Sequence, residues 1–209
     1  YPARQLAIYT CMDTRLVDFL EPAMGISRGE AKVIKAAGNM ITGPFDEVIR
    51  SLMVAVYELG VTEIMVVGHE DCGMQHSTSE SLKKRMLERG IKPEAITEIE
   101  SEFSRWVDAF HHPRENVEKT GAAIKNNPLL PQDFIVHGLL FCPDTGRNSL
   151  CPIILLSGKS AGISFILKEF QRSGRLYLIA KCKGMISFDI CKKISLLYVL
   201  SAITDSNPF

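Results

Sequence analysis

Two short, unbroken apolar runs, Leu6-Ala7-Ile8-Tyr9 and Ile64-Met65-Val66-Val67, constrain this chain more than any other feature. Apolar residues in succession, with no polar residue between them, suit strands covered on both faces, as in a parallel sheet. Ala31-Lys32-Val33-Ile34-Lys35 reads as a further strand, stopped by Ala36-Ala37-Gly38-Asn39, and Asp133 to Phe141 as another. Helical stretches lie between them. An amphipathic one runs from Leu16 to Met24 and is closed by Gly25. The next starts at Pro44, reaches about Leu59 and stops at Gly60. Polar helices are expected at 79–89, 93–111 and 113–126, and Pro143-Asp144-Thr145-Gly146 is a turn that starts a hairpin. Strands alternating with helices give an α/β fold, a mostly parallel sheet flanked by helices. Ligands of such sheets gather outside the carboxyl ends of the strands.

The 24 basic and 24 acidic residues balance, so no charge field recommends nucleic acid or an anionic membrane as a partner. The balance conceals a division. Residues 148–209 hold eight Lys/Arg and three Asp/Glu, against 16 and 21 in 1–147. We therefore expect a domain over 1–147 and an atypical C-terminal extension over 148–209, with a helix near 161–171 and strand-like runs at 176–180 and 196–202. Asp189, Lys192 and Lys193 interrupt the apolar stretch there before it is long enough to cross a bilayer. Six cysteines in 209 residues are too sparse for a disulfide-stapled secreted module, which points to a reducing, cytoplasmic setting.

Chemistry is concentrated in two strings at expected strand ends. Cys11-Met12-Asp13-Thr14-Arg15 follows the first strand, and Gly68-His69-Glu70-Asp71-Cys72-Gly73 follows the Ile64–Val67 run. Cys11, His69 and Cys72 offer two thiolates and an imidazole with no evident fourth ligand, the pattern of an open zinc site. Ordinary core cysteines are the plainer reading of either string alone; a second string at another strand end favours metal. Asp13 and Arg15, two apart on an extended segment, project to one side, where the guanidinium can fork onto the carboxylate and keep it ionised. A helix N-cap is the competing role for Asp13.

These strings, with Lys35-Ala36-Ala37-Gly38-Asn39 between them in the same order and spacing, resemble the β-class carbonic anhydrases, most nearly their compact prokaryotic branch. The likeness extends over about residues 4–147. It implies one zinc per chain held by Cys11, His69 and Cys72, and a catalytic dyad of Asp13 and Arg15. It also implies a substrate pocket lined by Ala37, Gly38 and Asn39, with the Gly73 N–H nearby. The reaction implied is reversible hydration of carbon dioxide to bicarbonate and a proton through a zinc-bound hydroxide, in a homodimer or higher homo-oligomer. Carbonyl sulfide or carbon disulfide hydrolysis on the same scaffold, and an inactive zinc-binding structural or regulatory protein, are the alternatives. Two departures stand out. The family usually begins with one or two helices, whereas this sequence starts just before the first expected strand, and Pro152 falls where the family's last strand would want a ladder donor.

The remaining histidines and aromatics read more plainly. His76 can carry protons or sit idle in a surface loop; the loop is the simpler expectation. His111-His112 is expected at a helix C-terminus, where the dipole favours it. His137 reads as a core or interface histidine and Cys142 as structural. Phe103, Trp106 and Phe110 have helical spacing and suit a core or interface.

Overall fold

The computed structural model describes residues 1–151, 168–172 and 175–179. The chain divides into two compact units, Tyr1–Leu156 and Ser157–Phe209. The first is built on a five-stranded sheet of β1 (Leu6–Cys11), β2 (Ala31–Ala36), β3 (Glu63–His69), β4 (Ile135–Phe141) and β5 (Asn148–Cys151). Its order is β2-β1-β3-β4-β5. The first four strands pair in parallel, and β5 returns antiparallel along β4 through the hairpin expected at Pro143–Gly146.

Every residue of β1 is buried, which explains its lack of polar alternation. Ala7 and Tyr9 join Ile64, Val66 and Val136 in one core layer, while Leu6, Ile8, Val67, Leu139 and Phe141 form the other. The first layer is covered by α2 (Glu47–Met53) and α5 (Pro113–Lys125) through Val48, Ile49, Leu52, Val117 and Ile124. Asp46 caps α2, its Oδ1 accepting the Ile49 N–H at 2.9 Å, so this helix starts after Pro44 rather than on it. A wider π-turn at Val54–Glu58 carries it on to Leu59. The polar helices α3 (Ser79–Glu88) and α4 (Pro93–Val107) follow close to their expected bounds.

Other expectations change. Leu16–Met24 is not one helix but a 3₁₀ turn at Thr14–Leu16 and a four-residue helix, α1 (Leu20–Ala23). Pro22 tolerates a first helical turn but not a helix already running through it, and Asp18 takes a left-handed φ of 52° at the break. Helix α4 stops at Val107, so His111 lies beyond it and His112 instead precedes α5 as its N-cap. Asn148–Cys151 does form a ladder, pairing antiparallel with β4 from Phe141↔Asn148 to Gly138↔Cys151. The expected boundary after Arg147 thus falls inside the β4–β5 hairpin. In the second unit, β6 (Lys168–Arg172) pairs antiparallel with β7 (Arg175–Ile179), so 168–171 is strand where a helix was expected; ladder pairing outweighs local helix propensity here. Residues 161–167 and 196–202 lie outside the described residues. Among the described residues no helix is long and apolar enough to cross a membrane.

Gly68 ties the sheet to α5. A Cβ there would lie 2.5 Å from Val117 Cγ2 and 3.4 Å from the Pro113 carbonyl oxygen. Gly68→Ala is expected to lower stability by about 1–3 kcal/mol in urea unfolding; an unchanged midpoint would contradict this close packing.

Candidate metal centre

The ends of β1 and β3 bring the two strings together. Thr10 is in register with Val67, so Cys11 leaves its strand beside the segment that carries His69 and then Cys72. The Sγ atoms of Cys11 and Cys72 are 3.9 Å apart. These two sulfurs and a ring nitrogen of His69 lie within 4.8 Å of one another, and all three residues are buried. Among the described residues this is the group of donors able to hold a metal ion.

His69 is fixed by the chain around it. Its Nδ1 faces the Glu70 carbonyl oxygen at 2.9 Å; a carbonyl only accepts, so the proton sits on Nδ1. The lone pair is then on Nε2, which is buried without a hydrogen-bond partner. An orphaned imidazole nitrogen turned toward two thiols fits a cation. The thiols behave as a pair. Cys11 is held well below the usual thiol range, first by hydrogen bonding with Cys72 and against the opposing effect of burial, and also by the N–H groups of Gly38 and Asp13. Cys72 is pushed up by the same contact with Cys11 and by burial. A second thiolate forms here only if a positive charge arrives to compensate it.

Asp13 stands beside this group, its Oδ2 3.8 Å from His69 Nε2. Oδ1 accepts from the Arg15 backbone N–H at 2.9 Å and from Nε at 3.1 Å, and Oδ2 from Nη2 at 2.9 Å. Asp13 is therefore both the cap of the Thr14–Leu16 turn and one half of an ion pair. The two readings of the sequence coexist. The geometry differs from the expectation in one respect: Arg15 lies within the turn and folds back, instead of projecting from an extended segment. Its Nη2 also donates to the Asp71 carbonyl oxygen at 2.7 Å, and Nη1 approaches Asp71 Oδ2 at 3.4 Å. Asp71 is a partner that the sequence did not reveal. Its left-handed φ of 50°, which turns the carbonyl toward Arg15, has no clear signature in the letters.

Ala37–Asn39 form a 3₁₀ turn at the end of β2, with Gly38 at φ 66° and Asn39 at φ 44°. A Cβ on Gly38 would lie 3.0 Å from Met74 Cγ and 3.1 Å from Phe110 Cδ2. Asn39 is buried and its Nδ2 has no partner. Gly73 opens the turn Gly73–His76, with free space on its Cβ side. His76 is exposed, 3.9 Å from Asp71 Oδ1, and His137 faces Glu63 at 3.5 Å within the sheet. Phe103 and Phe110 are buried, and Trp106 packs edge-on against Phe103 in a groove of about 930 Å³ between α4 and the Met40–Asp46 segment.

The carbonic anhydrase family profile matches residues 6–147. The YvdA protein of Bacillus subtilis is 41% identical over 150 residues, 70% of this chain and 76% of its own length. A β-carbonic anhydrase of Trichomonas vaginalis superposes with a TM-score of 0.70 at 50% identity, over 72% of this chain and 83% of that one. A carbon disulfide hydrolase of an Acidianus strain is 31% identical over 159 residues, 69% of this chain and 76% of its own.

The Arg15 fork makes a prediction for the metal-free protein. It holds the Asp13 carboxyl at about 2, with burial opposing. Because that value lies below the unfolded value of about 3.9, the stability linked to Asp13 is complete above about 3.9 and is lost as pH falls toward about 2. Carboxyl NMR titration should find Asp13 near 2, and Arg15→Gln should move it up. An ordinary value in the unmodified chain would show that the fork does not hold in solution.

Proposed function

This chain belongs to the β-carbonic anhydrase family, and from that premise we propose that it hydrates carbon dioxide reversibly to bicarbonate and a proton at the Cys11–His69–Cys72 centre. The observation that carries the reading is the convergence of two buried sulfurs and an unpartnered imidazole nitrogen beside an arginine-held carboxylate. Cys11, His69 and Cys72 would hold one zinc ion. Zinc bound there supplies a Lewis acid that makes water a nucleophile near neutral pH.

The protein's own groups do the rest. The Glu70 carbonyl fixes the His69 tautomer and orients its ring. Arg15 keeps Asp13 ionised, and Asp13 Oδ2, 3.8 Å from His69 Nε2, is placed to accept a hydrogen bond from a water beside the donor atoms. Holding that proton aims a lone pair of the water at a small electrophile. Ala37, Gly38 and Asn39 would wall the substrate space, with the free Asn39 Nδ2 and the Gly73 N–H as donors for bicarbonate oxygens.

Two coarser features complete the proposal. Unpaired Cys11 and Cys72 thiols, needed for metal, suit a reducing cytoplasm. Exposed Phe45, Val54 and Tyr57 offer apolar area to a second copy of the chain, consistent with a homodimer. The carbon disulfide hydrolase relative supports one second reading, a sulfur analogue as substrate on the same centre.

Side-by-side turnover of carbon dioxide, carbonyl sulfide and carbon disulfide tests the function, with carbon dioxide expected to be the preferred substrate. A preference for either sulfur compound would move the assignment to the second reading. Cys72→Ser should lose its zinc on purification, and a full complement of metal in that variant would refute the ligand set. Asp13→Asn should retain zinc while carbon dioxide turnover falls about 100-fold or more; near-normal turnover would remove Asp13 from the mechanism.

A further inference from the structure

Two side chains of α5 reach across to the turn that borders the metal centre. Asn116 Nδ2 donates to the Gly38 carbonyl oxygen at 2.7 Å and lies 3.5 Å from both the Asn39 carbonyl oxygen and Asn39 Oδ1. Thr120 Oγ1 donates to the Asn39 carbonyl oxygen at 3.1 Å. Asn116 and Thr120 are four residues apart, so one face of the helix presents both. Each is buried, as is Asn39. On the far side of the turn, the buried Tyr9 hydroxyl donates to the Met40 carbonyl oxygen at 2.6 Å.

This clamp holds an arrangement that the chain would not choose alone. Gly38 and Asn39 are successive residues at positive φ, and Asn39 has a side chain to accommodate there. Left-handed backbone of this kind persists where surrounding contacts over-determine it. The turn adjoins the metal centre directly: Ala36, which precedes it, stands opposite Cys11 in the β1–β2 ladder and its carbonyl oxygen accepts the Met12 N–H at 3.2 Å, while the buried Asn39 Nδ2 has no hydrogen-bond partner. We propose that Asn116, seconded by Thr120, is a positioning residue, which locks the Ala37–Asn39 turn against the end of β1 and so sets how the neighbouring Cys11 sulfur binds metal.

The inference rests on Cys11 being a metal ligand, and the test separates the two claims. Cobalt(II) is the probe, read by chelator competition and by the sulfur-to-cobalt charge-transfer band, with apo-protein melting measured in parallel. Outer partners of this kind change metal affinity by about 10–100-fold when removed. Asn116→Ala should lose affinity in that range and shift the band while the apo-protein still melts cooperatively. Thr120→Val, which keeps the side-chain shape and removes one donor, should do the same to a smaller extent, and Thr120→Ser should restore the original values. If Asn116→Ala fails to fold, the Thr120 pair decides. Variants with lowered melting temperature but unchanged affinity and band would reduce Asn116 and Thr120 to structural contacts and overturn the inference. An unmodified chain that shows no sulfur-to-cobalt band would overturn the ligand assignment itself.

Discussion

The site depends on the parallel pairing of β1 with β3. Leu6 stands opposite Glu63 and Thr10 opposite Val67, so the two chains run off the same edge of the sheet together. A slip of one residue would move Cys11 by about 3.3 Å along the strand and turn its neighbours to the wrong core layer. The register is held by burial on both faces: Ala7 and Tyr9 can only pack in one layer, Leu6 and Ile8 only in the other. The distance between the two sulfurs is therefore a consequence of core packing at some remove from the site.

Around that fixed pair the fold collects groups that are costly to bury alone. The His69 Nε2 and Asn39 Nδ2 atoms have no partners within the described protein. Unpaired buried polar atoms cost about 1–3 kcal/mol each, and the turn containing Asn39 adds backbone strain. Placing both kinds of cost next to two thiols fits the proposed site, whose remaining partners would be a cation and a small anion. The Arg15–Asp13 pair has the opposite character, being satisfied already, with Arg15 further anchored to Asp71. The site thus joins a preformed acceptor to open donors, which is what orienting a water against a small electrophile requires.

The strands were legible because doubly buried strands write themselves as apolar runs. The Cys11–His69–Cys72 group and the Asp13–Arg15 pair were legible because they sit in two compact strings, each attached to such a run. Where local pattern and tertiary context disagree, the letters misled. Leu16–Met24 carries helical spacing, yet Pro22 and the left-handed Asp18 divide it. Asn148–Cys151 is weak strand sequence that a ready edge on β4 recruits. Asn116 and Thr120 read as the polar side of a helix, because only the packed fold shows that this side meets the Ala37–Asn39 turn. Asp71 was hidden for a similar reason: its contribution to Arg15 is a backbone carbonyl, which any residue could supply.

Zinc held by Cys11, His69 and Cys72 with a position left for water would give a distinctive X-ray absorption spectrum at the zinc edge of the purified full chain. One zinc per chain is expected, with two sulfur scatterers and two lighter nitrogen or oxygen scatterers in its inner shell. A shell of four sulfurs, a shell without sulfur, or a chain that binds no zinc would contradict it.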